Sequence, residues 1–236
     1  MKAWLKSAPQ AGAELLNVPE PTPQPDEVLM KVRRASICGT DLHIFTWDRW
    51  AQGRLKTPLI FGHEMVGEVM EIGSMVRDRK VGDIVAVETH VACDHCHLCR
   101  IGDSHVCENV QIVGIDRPGA FAEYICMPAR NTWPVPSGMP IEISPALEPL
   151  GNAVHTVLAG EIAGCATAVT GCGPCGLFSI AVARACGAGP ILATDVNDYR
   201  LELALAGGAD RAVNVRKGNW AEVARELAGG TGLAVV

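Results

Sequence analysis

The chain has 236 residues, 48% of them hydrophobic and 19% charged, so it can bury a core and global disorder is excluded. A net charge of −6 offers no basic surface for nucleic acid or an anionic membrane, and ten cysteines are too sparse for a disulfide-stapled scaffold. The length corresponds to one large domain or two small ones, and 25 glycines with 15 prolines favour short elements over long bundled helices.

The segment from Met1 to Pro9 has no apolar run like that of a secretory signal, so the expected compartment is the cytoplasm. Thiols stay reduced there, and clustered cysteines bind metal or do chemistry. Up to residue 147 the chain reads as β-rich. Pro19, Pro21, Pro23 and Pro25 make an extended lead-in. Strands are expected at residues 27–35, 65–72, 83–87 and 120–127, punctuated by glycines.

Near residue 144 the texture changes. Ser144-Pro145 reads as a helix N-cap followed by proline at the first helical position, and the helix is expected to reach about residue 159. A regular alternation follows: strand 166–170, helix 174–186, strand 190–194, helix 198–206, strand 211–215, helix 220–227, and a further strand from 233. Such alternation with short connections predicts a parallel sheet with helices on both faces. The fold class is therefore α/β with a β-rich domain, divided as 1–147 and 148–236. The 22 uncharged residues between Glu161 and Arg184 hold four glycines, a proline and three hydroxyl residues. They fit a buried strand, a tight turn and a buried helix better than a membrane span.

Gly171-Cys172-Gly173-Pro174-Cys175-Gly176 matches G-x-G-x-x-G between an apolar strand and an apolar helix. In that setting the first glycine permits the turn. The second admits a pyrophosphate, and the third lets helix and strand pack closely. Asp195 lies 19 positions after Gly176, at the end of the next strand, where a carboxylate binds adenosine ribose hydroxyls. No basic residue follows it directly, which favours NAD over NADP. Arg200 is either a ribose or adenine contact or a solvated helix residue.

The spacing Cys93-x2-Cys96-x2-Cys99-x7-Cys107 offers four thiolates for a closed tetrahedral zinc site, with no open position and hence a structural role. An iron–sulfur reading is disfavoured by the seven-residue last gap and by Glu108, where the ferredoxin run has proline. His95, His97 and His105 are expected to be exposed rather than liganded. A second set, Cys38-Gly39-Thr40-Asp41-x-His43 with Gly62-His63-Glu64, offers the mixed ligands of a catalytic zinc that keeps one position open.

On these motifs the chain resembles the zinc-dependent medium-chain dehydrogenases over its whole length. The resemblance implies a GroES-like catalytic domain followed by a Rossmann doubly wound parallel sheet, of which only the first half is expected here. Within the family the closer likeness is to members that oxidise the 3-hydroxyl of L-threonine. It is carried by residues 37–44, Trp47-Asp48-Arg49-Trp50, 151–156 and 195–201.

The resemblance further implies Cys38, His63 and Glu64 as catalytic zinc ligands, and Thr40 and His43 as a proton relay. Glu148 is implied as an acidic group beside the metal, either an intermittent ligand or part of the relay. Cys93, Cys96, Cys99 and Cys107 would hold the second zinc, and Gly171, Gly173, Cys175, Gly176, Asp195 and Arg200 would contact NAD. Cys172 and Cys175 depart from the usual alanine and aliphatic residues and add oxidisable thiols. The implied partners are a small-molecule substrate and copies of the same chain, a tetramer by resemblance, with no nucleic acid and no membrane.

The alternatives are an NAD-dependent polyol or secondary-alcohol dehydrogenase, or a non-catalytic zinc-stabilised nucleotide-binding fragment. No anchor for the amino-acid moiety stands out, although His90 is a candidate. A chain with half a dinucleotide fold is expected to bind adenine nucleotide weakly and to transfer hydride poorly.

Overall fold

In the computed structural model the chain forms two compact units, Met1–Glu148 and Pro149–Val236. The structure describes residues 1–230 and 232–236. The first unit holds β1 (Lys2–Lys6), β2 (Glu14–Asn17), β3 (Glu27–Ala35), α1 (Gly39–Thr46), α2 (Arg49–Arg54), β4 (Leu59–Ile60), β5 (Met65–Ile72), β6 (Ile84–Val87), β7 (His90–Val91), α3 (His97–Arg100), β8 (Gln111–Ile112), β9 (Tyr124–Pro128) and β10 (Thr132–Pro134). α4 (Leu147–Val157) starts at its end and lies mostly in the second unit.

Five strands form an antiparallel sheet in the order β10-β6-β5-β3-β9. Alternate residues Val28 and Met30, Met65 and Val69, Val85 and Val87, and Ile125 and Met127 point to one face and make the core. A smaller sheet, β2-β1-β4, and the β7–β8 pair complete the strands described in this unit.

The expected strand over 120–127 begins only at Tyr124. The reason is where its backbone bonds go: Gly119, Ala120 and Phe121 donate to the carbonyls of Ile60, Gly62 and Phe61 instead of to β3. The expected cap at Ser144 is also corrected. Residues Ser144–Ala146 form a short 3-10 turn, and the Ser144 hydroxyl donates back to the Pro140 carbonyl at 2.9 Å rather than capping α4. That helix ends at Val157, short of residue 159.

The second unit adds β11 (Thr167–Thr170), α5 (Pro174–Ala185), β12 (Ile191–Asp195), α6 (Asp198–Ala206), β13 (Arg211–Asn214), α7 (Trp220–Ala228) and β14 (Ala234–Val235). All four strands are parallel, in the order β13-β12-β11-β14. This is the 3-2-1-4 order of a doubly wound sheet. Val169, Ile191 and Ala193 pack on Ile180 and Ala183 of α5 and on Leu201 and Ala204 of α6. Ala168 and Leu192 pack on Ala224 of α7 on the opposite face. With both faces covered, β12 is buried throughout, and its first three residues, Ile191-Leu192-Ala193, are apolar. The uncharged stretch resolves into β11, its turn and α5. Among the described residues no helix is long and apolar enough to cross a membrane.

A buried lysine ties the first unit together. The Lys6 side chain is fully buried, and its Nζ donates to the carbonyls of Gln10, of Gly12 at 2.8 Å and of Phe45 at 3.0 Å. Phe45 lies in the last turn of α1, where carbonyls lack helical partners and a cation is favourable. Nζ also sits 5.2 Å from the Trp47 ring centroid. Lys6→Met keeps the buried stem and leaves the three carbonyls without this donor, so it should cost about 2–3 kcal/mol. Urea unfolding of the two proteins measures this, and an unchanged midpoint would show that the cradle adds no stability.

Candidate metal and nucleotide sites

Ligand atoms of Cys38, His63 and Glu64 lie within 4.8 Å of one another. Cys38 is the residue that caps α1, in extended backbone, and its N–H donates to Oδ2 of Asp41 at 2.8 Å. Asp41 thus reaches back from the first turn, as acidic residues at that position do. His63 and Glu64 immediately precede β5 and are buried. The Ser36 hydroxyl donates to Oε2 of Glu64, and the Ser36 N–H donates to the Glu64 carbonyl at 3.0 Å.

The electrostatics at this point are unusual. The His63 side chain beside Cys38 draws the thiol below its ordinary pKa, against the opposing effect of burial. Burial alone would push His63 down, but Cys38 and the carboxylates of Asp41 and Glu148 raise it. Burial raises Asp41 despite the Cys38 N–H. Two buried atoms, Nδ1 of His63 and Oδ1 of Asp41, have no hydrogen-bond partner and stand 3.8 Å apart. A histidine whose Nδ1–H turns toward a carboxylate leaves Nε2 as a metal ligand. The donor set of one thiolate, one imidazole and one carboxylate fits zinc.

Thr40 and His43 are three residues apart on α1 and therefore share a face. The Thr40 hydroxyl lies 3.7 Å from the Cys38 sulfur, and the His43 side chain is 56% exposed, so it reaches solvent. Oε1 of Glu148 accepts from the Thr89 hydroxyl at 3.0 Å. His90 pairs with Glu88 at 2.8 Å.

The four cysteines Cys93, Cys96, Cys99 and Cys107 bring their sulfurs within 4.8 Å of one another, and no cysteine among the described residues is in a disulfide. The Cys96 and Cys107 sulfurs are 3.9 Å apart. Tetrahedral zinc with bonds of about 2.3 Å spaces its sulfurs at about 3.8 Å. Backbone N–H groups of Cys93, Cys99 and Asn109 point at these sulfurs, as they do at thiolates. The His95 N–H and its neighbours bring Cys93 down to about 5, whereas burial and the other three sulfurs push Cys99 up to about 12. Four thiols this close resist ionising together unless a cation joins them. His95, His97 and His105 are exposed, and none belongs to a clustered ligand set among the described residues.

In the second unit, the turn from β11 to α5 has Gly171 at φ +90°, in the left-handed region that glycine allows, and Gly173 caps α5 without a side-chain bond. Gly171, Gly173, Pro174, Cys175 and Gly176 line a cleft of about 370 Å³ together with Thr156 and Ser179. A Cβ on Gly173 would meet no atom within 4 Å, while one on Gly176 would stand 1.8 Å from the Gly171 carbonyl oxygen. Gly173 therefore keeps space for a ligand, and Gly176 keeps helix and turn in contact.

The Asp195 carboxylate accepts from the N–H groups of Cys172, Val196 and Asn197 at 2.7–2.8 Å. Burial would raise its pKa, but these donors and Arg200 hold it below the usual carboxylate range. Three of about four acceptor positions are thus taken, and Oδ2 keeps one. Arg200 stands 4.0 Å from that oxygen. Burial pushes the Cys172 thiol up to about 11, while Cys175 is exposed at the turn.

The sequence reading missed three participants. Asp41 stood inside the motif Cys38-Gly39-Thr40-Asp41-x-His43, but neither its place in a first helical turn nor its approach to His63 was visible. Ser36 and Asp48 carried no signal for their contacts with Glu64 and His43. Likewise the stapling of the glycine turn by Asp195 came only from the structure.

A sequence profile described as "Alcohol dehydrogenase GroES-like domain" matches residues 24–137, and one described as "Zinc-binding dehydrogenase" matches residues 174–236. The L-threonine 3-dehydrogenase of Pyrococcus horikoshii is 49% identical over 235 residues, which is 100% of this chain and 68% of that protein. The crystal structure of galactitol-1-phosphate dehydrogenase from Escherichia coli superposes with a TM-score of 0.89 at 29% identity, over 100% of this chain and 67% of that one. An alcohol dehydrogenase from Escherichia coli CFT073 complexed with NADH superposes with a TM-score of 0.87 at 32% identity, over 96% and 66%.

The two glycines of the turn should separate in mutation. Gly176→Ala should lower the thermal midpoint by several degrees, because helix and turn must part, whereas Gly173→Ala should leave it within about 1 °C. Calorimetry decides this, and equal effects would mean that the turn yields freely at both positions.

Proposed function

Because the chain belongs to the zinc-binding, GroES-like alcohol dehydrogenases, we propose that it oxidises the 3-hydroxyl of L-threonine with NAD, giving 2-amino-3-oxobutanoate. The observation that carries the reading is the convergence of ligand atoms of Cys38, His63 and Glu64 within 4.8 Å of one another, with the unpaired Nδ1 of buried His63 facing the unpaired Oδ1 of Asp41. Near 50% identity to threonine dehydrogenases along the whole chain supports the substrate.

Cys38, His63 and Glu64 would hold the catalytic zinc, with Asp41 orienting His63 and Ser36 orienting Glu64. When bound, this metal supplies Lewis-acid polarisation of the substrate oxygen. Thr40 takes the proton of the substrate hydroxyl and passes its own to His43 on the same helical face. His43, exposed, returns the proton to solvent. Glu148, held by Thr89, supplies negative charge beside His63. Cys93, Cys96, Cys99 and Cys107 would hold a second, structural zinc.

NAD supplies the hydride acceptor. Gly171, Gly173, Cys175 and Gly176 fit its pyrophosphate, since the helix N–H groups and the space over Gly173 face the cleft. Asp195 and Arg200 fit the adenosine ribose, through the one free acceptor position on Oδ2. The carboxylate there disfavours a 2′-phosphate and hence NADP. A cytoplasmic homo-oligomer, tetrameric by family likeness, completes the reading, and the free cysteines suit a reducing compartment.

Turnover with NAD should be highest for threonine when threonine, sorbitol and 2,3-butanediol are compared. Preference for sorbitol or the butanediol would replace the substrate assignment with a polyol or secondary-alcohol one. Elemental analysis should find about two zinc ions per chain, and about one in either Cys107→Ser or Cys38→Ser, by the two ligand sets. Iron with acid-labile sulfide would overturn the structural-zinc assignment.

A further inference from the structure

The stretch Trp47-Asp48-Arg49-Trp50 takes no part in metal or nucleotide binding as described above, yet it closes on the relay histidine. α1 ends at Thr46, and Trp47 adopts left-handed backbone with φ 55° and ψ 49°. For a bulky residue this conformation is uncommon and is held by its surroundings. Its N–H bonds the Ile44 carbonyl, and its own carbonyl accepts from Nε2 of Gln52 at 2.9 Å. The reversal at Trp47 brings Asp48 back onto the helix it has just left.

Asp48 then uses both oxygens. Oδ1 accepts the Ala51 N–H at 3.0 Å and so caps α2, and Oδ2 lies 2.5 Å from Nδ1 of His43. The Trp50 ring centroid stands 5.9 Å from that of the imidazole, with the planes at 56°. The Ala51 N–H and then His43 hold the Asp48 carboxyl below the usual range, so it is ionised and accepts only.

We propose that Asp48 is the positioning residue of the relay: it fixes His43 as the Nδ1–H tautomer and leaves Nε2 as the atom that receives the proton. This rests on His43 being the relay base of the preceding subsection. The same carboxylate faces an imidazolium while the proton is in transit, so the pair stabilises the charge that forms and aims the ring that carries it.

The geometry makes an unusual demand of an amide. In Asp48→Asn the side chain would have one acceptor oxygen for two donors. If the oxygen keeps the Ala51 N–H, the NH2 faces Nδ1 and imposes the Nε2–H tautomer, which cannot accept the proton there. Serine caps the helix as well as asparagine does but leaves the imidazole free to choose. A purely capping role therefore ranks Asp48→Asn at least equal to Asp48→Ser. The proposal ranks Asp48→Asn below it.

The test compares the wild type, Asp48→Asn, Asp48→Ser and His43→Gln. Long-range 15N–1H NMR of the imidazoles, with His43 assigned by its loss in His43→Gln, should show Nδ1–H in the neutral wild type and Nε2–H in Asp48→Asn. Threonine-dependent NAD reduction by the zinc-loaded protein should show kcat about tenfold lower in Asp48→Asn and less affected in Asp48→Ser, with KM for threonine little changed. An unswitched tautomer, or Asp48→Asn as fast as Asp48→Ser, while His43→Gln is slow, overturns the proposal alone. His43→Gln turning over like the wild type overturns the relay reading and the proposal with it, whatever the tautomer.

Discussion

A buried carboxylate that accepts backbone N–H groups is the constraint on which both halves of this protein depend. Asp41 is 2% exposed and bonds the N–H of Cys38. That one bond sets where α1 begins, and with it the direction of the thiol, the hydroxyl of Thr40 and the ring of His43. The second oxygen is left facing His63 at 3.8 Å without a hydrogen-bond partner. An unpaired buried acceptor costs about 1–3 kcal/mol, so the helix start is held at some expense in stability. The compensation is a charge placed beside His63, where the ligand role proposed for that histidine needs it.

The second unit repeats the device with a different purpose. Asp195 ends β12 and accepts three N–H groups, one of them from the glycine turn that ends β11. The turn is thereby fastened to the neighbouring strand as well as to its own helix. Gly176 supplies the other fastening, because no side chain fits between it and the Gly171 carbonyl. The phosphate cradle proposed for this turn has to be open to its ligand and rigid toward the protein. Here the openness comes from Gly173, and the rigidity comes from Asp195 and Gly176.

Thiols define the opposite kind of site. In the lobe between β7 and β8 the four sulfurs gather around a point without covalent linkage. Their pKa values spread apart, down to about 5 for Cys93 under the His95 N–H and its neighbours and up to about 12 for Cys99 under burial and the other three sulfurs. Backbone N–H donors soften the repulsion but do not remove it. The divalent cation proposed for this lobe would, and its binding would then be part of the lobe's folding energy.

Much of this was legible in the sequence. The alternation of apolar strands and helices after residue 160 is local in origin, since the central strands β11 and β12 are covered on both faces and the helices bury one face against them. The cysteine spacing and the G-x-G-x-x-G turn are likewise short-range patterns whose ligands lie close along the chain. The short helices α1 and α2 and the strand β4 were not legible, because their periodicity is too brief to register. The start of β9 at Tyr124 and the bond of Ser144 to Pro140 depend on where backbone groups find partners, which no residue type announces. The same holds at the sites. Sequence alone singled out Cys38, His63 and Glu64, but Asp41 beside His63, Asp48 on His43 and Asp195 across the glycine turn are decided by the tertiary fold. A carboxylate can serve a cap, a metal ligand or a turn equally well, and only the approach of chain segments chooses among them.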